Sequence, residues 1–590
     1  MKRYILPLLG IIALPMNAQN ISDAVRYGSD NISGTARYRA MGGAFGALGG
    51  DPSSMSDNPA GMGIYRGTSE ISFTPNLSFA HSHVDGFDIP NGALSYKSKQ
   101  TKADCSVSNL AYIISFKTDN CEHLVNFNFG VGFNHKDGVS RRYKMILEWP
   151  SYSFGDYLAN RANNALLQNG HYGNPAYLES DEAWKNSSIP LSVFYGCGID
   201  GENNKFNPDF PLLMNNVAAE GTPAQYEGVD NFDHIFNRDA FQCMYVTEKT
   251  RNDEYNINFS GNWEDYIYGG LTVAINDFNS IIETEFREDY QEDYRGEYTI
   301  YQNGLETKGT GIGIKAGVLI KPTDTWRIGF AAHTPTWYRM EDTYDGAMCT
   351  ERTNYTVDKV YVDKYRYQSP WQMQLSSAWV LGNRALFSVE ADMKDFGTQK
   401  YKVSRDSWEN EDAFDDLNSM FKDYTKIQMT YKAGLEYRVS KVFSVRMGYA
   451  HKGSPYDKNL YDHPETPRSM NNGSFWDDNT YLFDSSTKPN HTILGSQQFY
   501  SGGIGWGGDW WHIDLSCVNR VQNEKLAAFP TTDAIYSIAD QYVKMVGYNE
   551  VFFDENGDSH TGDEYGAIGG TYCKLKTRTL MWDLTFGMRF

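Results

Sequence analysis

The residues best placed for metal chemistry lie in the last long segment of the chain. Asp554, Asn556 and Asp558 alternate along this segment, which is the spacing by which a turning loop directs oxygen atoms at Ca²⁺. The sixth position of the run is Ser559, where a calcium loop has Gly, and the twelfth is Tyr565, where it has a bidentate Glu. The alternative, a solvated acidic surface loop, is the interpretation that the sequence favours.

Other arrangements that support catalysis are missing from the sequence. The twelve His form no HExxH pair, no Gly-x-Ser-x-Gly elbow occurs, and the seven Cys are scattered without a CxxC pair. The run GGAFGALGG at 42–50 has no strand before it and no βαβ unit around it, so it does not fit a dinucleotide-binding loop. We therefore predict a protein that is not an enzyme and that has no cofactor apart from the candidate loop Ca²⁺.

Composition indicates a β-rich protein. Aromatic residues make up 15% of the 590 residues, and there are 54 Gly against 20 Pro, a mixture typical of strands, turns and the aromatic girdles of membrane barrels. The formal net charge of -21 argues against nucleic acid as a partner, because phosphate binding needs clustered Lys and Arg.

The first residues have the anatomy of a secretory signal peptide. Lys2 and Arg3 precede an apolar run at 5–14, and small or polar residues follow up to Ala18. The run is too short for a permanent membrane-spanning helix. We predict that residues 1–18 are removed and that the protein is exported.

From Ser69 onward the dominant pattern is alternation of apolar and polar residues with a period of two, which indicates strands with two unlike faces. The clearest example is a hairpin in which 427–439 and 443–450 flank a turn at Ser440-Lys441. The same pattern predicts strands near 69–81, 107–117, 123–134, 254–262, 266–276, 310–320, 324–334, 370–380, 384–393, 427–438, 441–451, 497–507, 510–519 and 577–590.

These fourteen segments are joined alternately by short and long connections, with long ones at 82–106, 135–253, 277–309, 335–369, 394–426, 452–496 and 520–576. An even strand count, strands of about 10–12 residues and one-sided loop lengths are typical of an outer-membrane antiparallel β-barrel. A soluble β-sandwich or propeller is the alternative, but it does not explain why the long loops fall on one side.

Aromatic residues support the membrane interpretation. The last strand alternates up to the final residue, with Trp582, Phe586 and Phe590 on one face, and this ending resembles the C-terminal signal that the barrel-assembly machinery recognises. Apolar faces carry candidate girdle residues near strand ends, for which ordinary aromatic β-propensity is the alternative explanation: Trp326, Trp371, Trp379, Trp511 and Trp582.

The segment before the first strand carries a family resemblance. It has Gly42, Gly43, an acidic Asp51 and the Asn-Pro-Ala run Asn58, Pro59 and Ala60. This combination resembles the N-terminal hatch of FadL-type outer-membrane transporters, and the segments at 260–277 and 313–330 are similar to strand–turn–strand units of that family. The sequence as a whole resembles the Bacteroidetes branch of that family.

The resemblance implies a domain organisation: a signal peptide at 1–18, a hatch at 19–67 and a barrel at 68–590 whose longest loop is 135–253. A barrel this wide needs a plug, and a Gly-rich segment can pack its backbone closely and rearrange. The two alternatives are a gated hatch, whose rearrangement around Asn58, Pro59 and Ala60 releases the ligand, and a static plug. The sequence shows no strand kink, so a lateral exit through the wall is implied by the resemblance alone.

The function that the resemblance implies is passive uptake of hydrophobic small molecules, such as long-chain fatty acids or aromatic compounds, by a monomer in the outer membrane. Its partners would be membrane lipid, the apolar ligand and the assembly machinery. The alternative is a FadL-like barrel that holds a surface protein partner or serves protein secretion through its long loops.

Overall fold

The computed structural model describes residues 19–66, 68–86, 94–118, 123–148, 154, 240–290, 298–350, 359–382, 384–405, 411–462, 491–529 and 572–590, together with short paired segments in the long connections. The loop at Asp554–Asp558 and the predicted signal peptide lie outside the described residues. Among the described residues, no helix is long and apolar enough to cross a membrane.

In the described part of the chain, fourteen antiparallel strands form one closed sheet, so the predicted barrel and strand count are confirmed. Each strand pairs with the next one along the chain, and the last pairs with the first from Glu70↔Arg589 to Gly86↔Cys573. The strands are β1 Glu70–Gly86, β2 Ser98–Lys117, β3 Leu124–Glu148, β4 Ala240–Trp263, β5 Ile267–Tyr290, β6 Tyr298–Ile320, β7 Trp326–His333 and Trp337–Thr350, β8 Lys359–Gln368 and Trp371–Leu381, β9 Ala385–Asp395 and Lys400–Val403, β10 Ile427–Arg438, β11 Phe443–Lys452, β12 His491–Gly507, β13 Trp511–Ala527 and β14 Cys573–Arg589.

Short strands accompany the barrel at its long-loop end. Leu94–Ser95 pairs with the end of β3. Four further pairs are separate two-stranded sheets: Ile199–Asp200 with Lys205–Phe206, Met214–Asn215 with Phe232–Asp233, Ala534–Ile538 with Tyr542–Val546, and Val551–Phe553 with Ser559–Thr561.

The two faces of the barrel differ as the hairpin pattern predicts. In β10, Ile427 and Tyr431 are exposed on the outside, whereas Lys432 and Glu436 are buried inside. The outer face that meets lipid is therefore apolar and the lumen is polar. Among the candidate girdle residues, Trp326, Trp371 and Trp582 are exposed, and Trp379 and Trp511 are half-buried.

Several strands are much longer than predicted, and the long connections are correspondingly shorter. β3 and β4 have 25 and 24 residues, so strand replaces both ends of the segment expected as a loop at 135–253. The predicted loop at 335–369 is mostly strand. The physical reason is visible in β6, where the outer face carries Gln302 and Lys308 before Ile312 and Ile314 begin the exposed apolar stretch. Strand that projects into water lacks the apolar face by which we recognised strands.

Three neighbouring strands are interrupted at the same level of the wall. Pro335 breaks β7 and Pro370 breaks β8, because proline has no N–H for the ladder. A 3₁₀ turn at Phe396–Thr398 breaks β9. Beyond this turn the edge of β9 pairs with a helix, α3 (Asp415–Tyr424): Tyr401 N donates to Asn418 Oδ1 at 2.8 Å, and Asn418 Nδ2 donates to Tyr401 O at 3.0 Å.

The N-terminal segment 19–66 lies inside the barrel and is almost completely buried. It enters at the long-loop end with α1 (Ile21–Gly28) and continues through α2 (Ala36–Ala40). Two 3₁₀ helices, Pro52–Met55 and Pro59–Ile64, lead to the short-turn end, where β1 begins. We call this segment the hatch. A short helix at Lys458–Asp462 and α3 lie beside α1 at the long-loop end.

Candidate functional site: the hatch and the lumen

The predicted glycines of the hatch have conformations that favour glycine. Gly42 and Gly43 have φ angles of 65° and 75°, which lie in the left-handed region that other residues rarely adopt. A Cβ at Gly42 would also lie 2.9 Å from the backbone N of Tyr449 in the wall. These glycines therefore allow the chain to turn while it touches the barrel backbone.

Asp51 organises the hatch itself. Its carboxylate accepts hydrogen bonds from Thr35 Oγ1 at 2.8 and 2.9 Å and from Ser53 N at 2.9 Å. It thereby joins the start of α2 to the start of the first 3₁₀ helix. Burial raises the pKa of Asp51 above its ordinary value, although Arg37 and these hydrogen bonds oppose the shift.

The Asn-Pro-Ala run starts the second 3₁₀ helix. Asn58 Oδ1 accepts from Ala60 N at 3.1 Å, and Pro59 occupies the first helical position, where no N–H is required. The Asn58 amide also donates to Gly46 O at 2.7 Å and to Val318 O of the wall at 3.5 Å. The run thus links two parts of the hatch to β6.

Wall glycines receive the hatch backbone directly. A Cβ at each of them would come closer than 3.0 Å to a hatch backbone or side-chain atom, a separation that real Cβ atoms essentially never show. Gly270 faces Pro59 and Ala60, Gly317 faces Asn58, Gly329 faces Gly46, Gly434 faces Met41 and Gly448 faces Gly42. At four of these positions the nearest hatch atom belongs to the backbone, and at Gly317 it is the side-chain oxygen of Asn58.

Ion pairs also join the hatch to the wall. Arg37 Nε lies 2.9 Å from Glu436 Oε2, and Arg39 pairs with Asp583. Lys432 lies 3.8 Å from Asp57 of the hatch. Burial raises the pKa of Asp57 to about 6, against the opposing effect of Lys432.

Most of the wall residues in these pairs keep a second charged partner in the wall itself. Glu436 also pairs with Arg446 at 2.7 Å. Lys432 also pairs with Glu390 at 2.6 Å and with Asp392 at 2.7 Å. Their charges would stay compensated without the hatch.

Asp30 differs, because its two wall partners depend on it. Its carboxylate lies 2.7 Å from Lys394 Nζ of β9 and 3.0 Å from Lys452 Nζ of β11. Within the described residues, neither lysine pairs with another carboxylate. Asp30 is half-buried, and its desolvation opposes ionisation, but Lys394, Lys452 and Lys136 together hold its pKa well below the ordinary value.

Helix α1 packs its apolar side into an aromatic cluster at the long-loop end. Tyr27 makes edge-on contacts with Phe278 and Tyr367, with ring centroids 5.2 and 5.7 Å apart. Hydroxyl groups bind the helix backbone, since Tyr367 donates to Ala24 O at 2.9 Å and Tyr401 to Asn20 O at 3.4 Å. The buried members of the cluster are Ile21, Ala24, Val25, Tyr27, Phe278, Tyr338, Met340, Tyr365, Tyr367, Phe396, Tyr401, Val403, Phe414, Phe421, Tyr424, Tyr456, Leu460, Ile493, Ala527 and Tyr572.

Small polar cavities lie directly below this cluster. One of about 70 Å³ is lined by Asp30, Lys136, Lys452 and other residues. A second, of about 30 Å³, lies between the hatch and the interrupted wall, where Tyr27 and Asp30 face Thr334, Thr336, Ser369 and Pro370. Their volumes correspond to a few water molecules, so a larger ligand would require the hatch to move.

The mouth at the short-turn end is larger and strongly charged. Its volume is about 260 Å³, and its lining includes Arg37, Asp51, Lys441, His512 and Arg589. An apolar solute would gain little there, because charged groups that face water are poor partners for apolar surface.

Sequence reasoning located the hatch but missed Asp30, its two lysines and the aromatic cluster. Asp30 is 364 residues from Lys394 and 422 from Lys452, so no local pattern could join them. Pro335 and Pro370 lie at the ends of the strands predicted at 324–334 and 370–380, so their position in the sequence does not show that the strands continue beyond them.

The roles of the other candidate site residues remain predictions. Trp582, Phe586 and Phe590 are exposed on the outer face, and their function as an assembly signal remains a prediction. The described residues hold no group of three or more metal-ligating side chains, and the candidate calcium ligands Asp554, Asn556 and Asp558 lie outside the described part of the chain. Cys105, Cys243, Cys517 and Cys573 are free thiols.

Comparison with known proteins gives similarity in structure only. No protein-family model and no curated protein matches the chain. Among solved structures, the chain is similar to a FadL homologue of Pseudomonas aeruginosa, with 12% identity, a TM-score of 0.47, and coverage of 95% of this chain and 99% of that one.

Two toluene transporters are also similar to it. TodX of Pseudomonas putida has 10% identity and a TM-score of 0.45, and TbuX of Ralstonia pickettii has 11% identity and a TM-score of 0.39. In both cases the match covers 95% of this chain and 99% of the other.

Proposed function

We propose that this protein is an outer-membrane channel for the passive uptake of hydrophobic small molecules, such as long-chain fatty acids, and that the hatch gates it. The observation that carries the proposal is the position of α1, whose apolar residues lie in an aromatic cluster at the entrance of an otherwise polar, plugged lumen. A plugged lumen does not pass water-soluble solutes as an open porin does. An aromatic entrance is suited to apolar ones.

The route out of the cluster is proposed to be lateral. Below it, buried ion pairs and the charged mouth would oppose an apolar molecule. The interruption of β7 and β8 lies beside the hatch at the same level as Asp30. Among the described residues, only two hydrogen bonds bridge it directly. Ser369 N donates to Thr336 O at 3.1 Å, and Thr336 N donates to Ser369 Oγ at 2.8 Å. Movement of α1 and of the residues after it would open the small cavity towards this weak point and hence towards the membrane.

The test has two parts. Organic extraction and mass spectrometry of the protein, purified from its native membrane after extensive detergent exchange, should recover an apolar molecule in roughly stoichiometric amount. Uptake of labelled apolar compounds by cells should depend on residues 19–33 of the hatch. If deletion of these residues left the uptake of every tested compound unchanged while the barrel still assembled, gating by the hatch would be wrong.

A further inference from the structure

Lys394 and Lys452 form a buried cationic pair whose counter-ion is supplied by the hatch. Their relative exposures are 9% and 5%, and Asp30 is the carboxylate that both contact. Lys394 also donates to Gly28 O at 3.2 Å and Lys452 to Asp30 O at 2.6 Å, so both lysines bind backbone of the hatch as well. Withdrawal of this part of the hatch would leave two buried ammonium groups without an anion.

Such a pair is costly unless another anion replaces Asp30. A buried charge whose partner is removed is strongly unfavourable, whereas the other wall residues that contact hatch charges mostly keep wall partners. Glu436 keeps Arg446, and Lys432 keeps Glu390 and Asp392. The Lys394–Lys452 pair is therefore a place where hatch movement and anion binding are coupled.

The cationic pair and the aromatic cluster border one cavity. Tyr27 and Tyr338 of the cluster line the small cavity together with Asp30 and Lys394. Helix α1 and Asp30, which follow each other in the chain, thus present an apolar surface to the aromatic cluster and a carboxylate to the lysines. This is the chemical layout of an amphipathic carboxylate, with a tail and an anionic head.

We propose that the α1–Asp30 segment is a built-in competitor for the ligand, and that an amphipathic carboxylate opens the hatch by replacing the Asp30 carboxylate on Lys394 and Lys452. The inference rests on the proposed function and adds to it the residues that hold the head group and the event that releases the hatch. An apolar molecule without an anionic head fills only the aromatic part of the site and leaves the lysines without a partner.

Two variants of the full-length protein separate this proposal from simple loosening of the hatch. Asp30→Asn removes the competing carboxylate and leaves both lysines. The triple variant Asp30→Asn, Lys394→Met, Lys452→Met removes the same hatch contact and the cationic pair together, so it leaves no buried charge unpaired. Arg37→Gln is the matched control, because it removes a hatch–wall ion pair whose wall member, Glu436, keeps Arg446.

The measurement is equilibrium binding of labelled oleate and of oleyl alcohol to each purified protein in detergent. We expect Asp30→Asn to bind oleate about tenfold more tightly than the wild type, and the triple variant to bind it at least about tenfold more weakly than Asp30→Asn, each factor corresponding to about 1.4 kcal/mol. Oleyl alcohol should bind Asp30→Asn and the triple variant equally. Arg37→Gln should change the affinities for both ligands by the same factor.

The outcomes are distinguishable. Equal oleate affinity of Asp30→Asn and the triple variant would overturn the proposal while leaving a hydrophobic channel intact. Equal strengthening of oleate and oleyl alcohol binding by Asp30→Asn would also overturn it, because the aspartate would then act only as a mechanical tie. A wild-type protein that binds neither ligand, with heat-modifiable barrels of normal stability, would refute the proposed function itself.

Discussion

Substitution of Gly448 tests whether the hatch is held by direct backbone contact. Gly448 lies in β11 and faces Gly42 and Met41 of the hatch. A Cβ at this position would come closer than 3.0 Å to backbone atoms of both residues. An ordinary van der Waals contact needs at least 3.4 Å. Because the position of a Cβ is fixed by the wall backbone and the two hatch atoms are backbone as well, rotation of a side chain cannot relieve the clash with the hatch in Gly448→Ala.

The magnitude follows from how the conflict can be resolved. Overpacking by one methyl group in a well-packed interior costs about 1–3 kcal/mol. The barrel strand is fixed by ladders on both sides, to Gly434 and Ser501, whereas the hatch is held by fewer hydrogen bonds. We therefore expect the hatch to be displaced and the barrel to stay folded. Gly502→Ala is the control, since its nearest new contact is 3.7 Å away, at Arg446 O, and we expect an effect within about 0.5 kcal/mol.

The assay is limited trypsin digestion of the purified proteins in detergent, with N-terminal fragments identified by mass spectrometry. Arg39 is buried in the native protein, so wild type and Gly502→Ala should resist cleavage after it, whereas Gly448→Ala should be cut rapidly while its barrel remains heat-modifiable on gels. Equal resistance of Gly448→Ala and Gly502→Ala would refute the close backbone packing on which the description of the docked hatch depends.

Three further outcomes are expected. In the folded protein Asp57 has a pKa of about 6, whereas the same carboxyl group in the unfolded chain has a pKa near 4. Between these values the folded protein binds more protons than the unfolded chain, so the free energy of unfolding should fall as pH rises from about 4 to 6 and then level off. Melting curves recorded across this pH range should lose this contribution in Asp57→Asn. Arg39→Gln leaves Asp583 buried without its ion-pair partner, and chemical denaturation should show it to be destabilised by about 3 kcal/mol; an effect no larger than that of Arg37→Gln would contradict this, since Glu436 keeps Arg446. In a background without the native cysteines, a disulfide between Thr336→Cys and Ser369→Cys should block uptake without blocking ligand binding. As a control, a reductant should restore uptake. Unchanged uptake in the crosslinked protein would exclude the interruption as the exit.

The barrel was predictable because its signal is local. Each membrane-crossing stretch must alternate, since one face meets lipid and the other a polar lumen, and this can be recognised from a dozen residues such as Ile427–Arg438. The C-terminal strand and its pairing partner at the start of the sheet follow from closure, because an open edge would leave backbone groups unpaired in lipid.

The extent of the strands was not predictable by the same rule. Where β3–β6 rise above the apolar belt, their outer faces meet water, as Gln302 and Lys308 do, and the contrast between the two faces disappears. The interruptions at Pro335 and Pro370 are marked in the sequence by proline, but a proline does not distinguish the end of a strand from a short interruption within it. A proline ends a ladder whether the chain then enters a loop or resumes the same strand after a gap of two or three residues, as β8 and β7 do.

The contents of the lumen were the least predictable part. The Gly-rich composition of 42–50 indicated close packing, but which wall positions receive it depends on the register of strands hundreds of residues away. Gly270, Gly329 and Gly448 look like ordinary strand glycines in the sequence, and only the folded chain shows that each faces the hatch backbone.

The two halves of the hatch are held by different kinds of interaction, and this bears on whether it is a gate or a static plug. From Met41 to Gly63 it packs backbone against wall glycines. This part of the hatch cannot slide along the wall in small steps, because a shift by one residue would place a Cβ or a peptide group where no space exists. From Gln19 to Asn31 it is held by tyrosine hydroxyls, an aromatic cluster and the Asp30 carboxylate. An amphipathic carboxylate can replace the apolar packing in the cluster and the Asp30 carboxylate, although not the hydrogen bonds from tyrosine hydroxyls to backbone carbonyls. The alternatives therefore apply to different residues: the lower half has the properties of a plug, and a moving gate needs to involve only the first turns of the hatch.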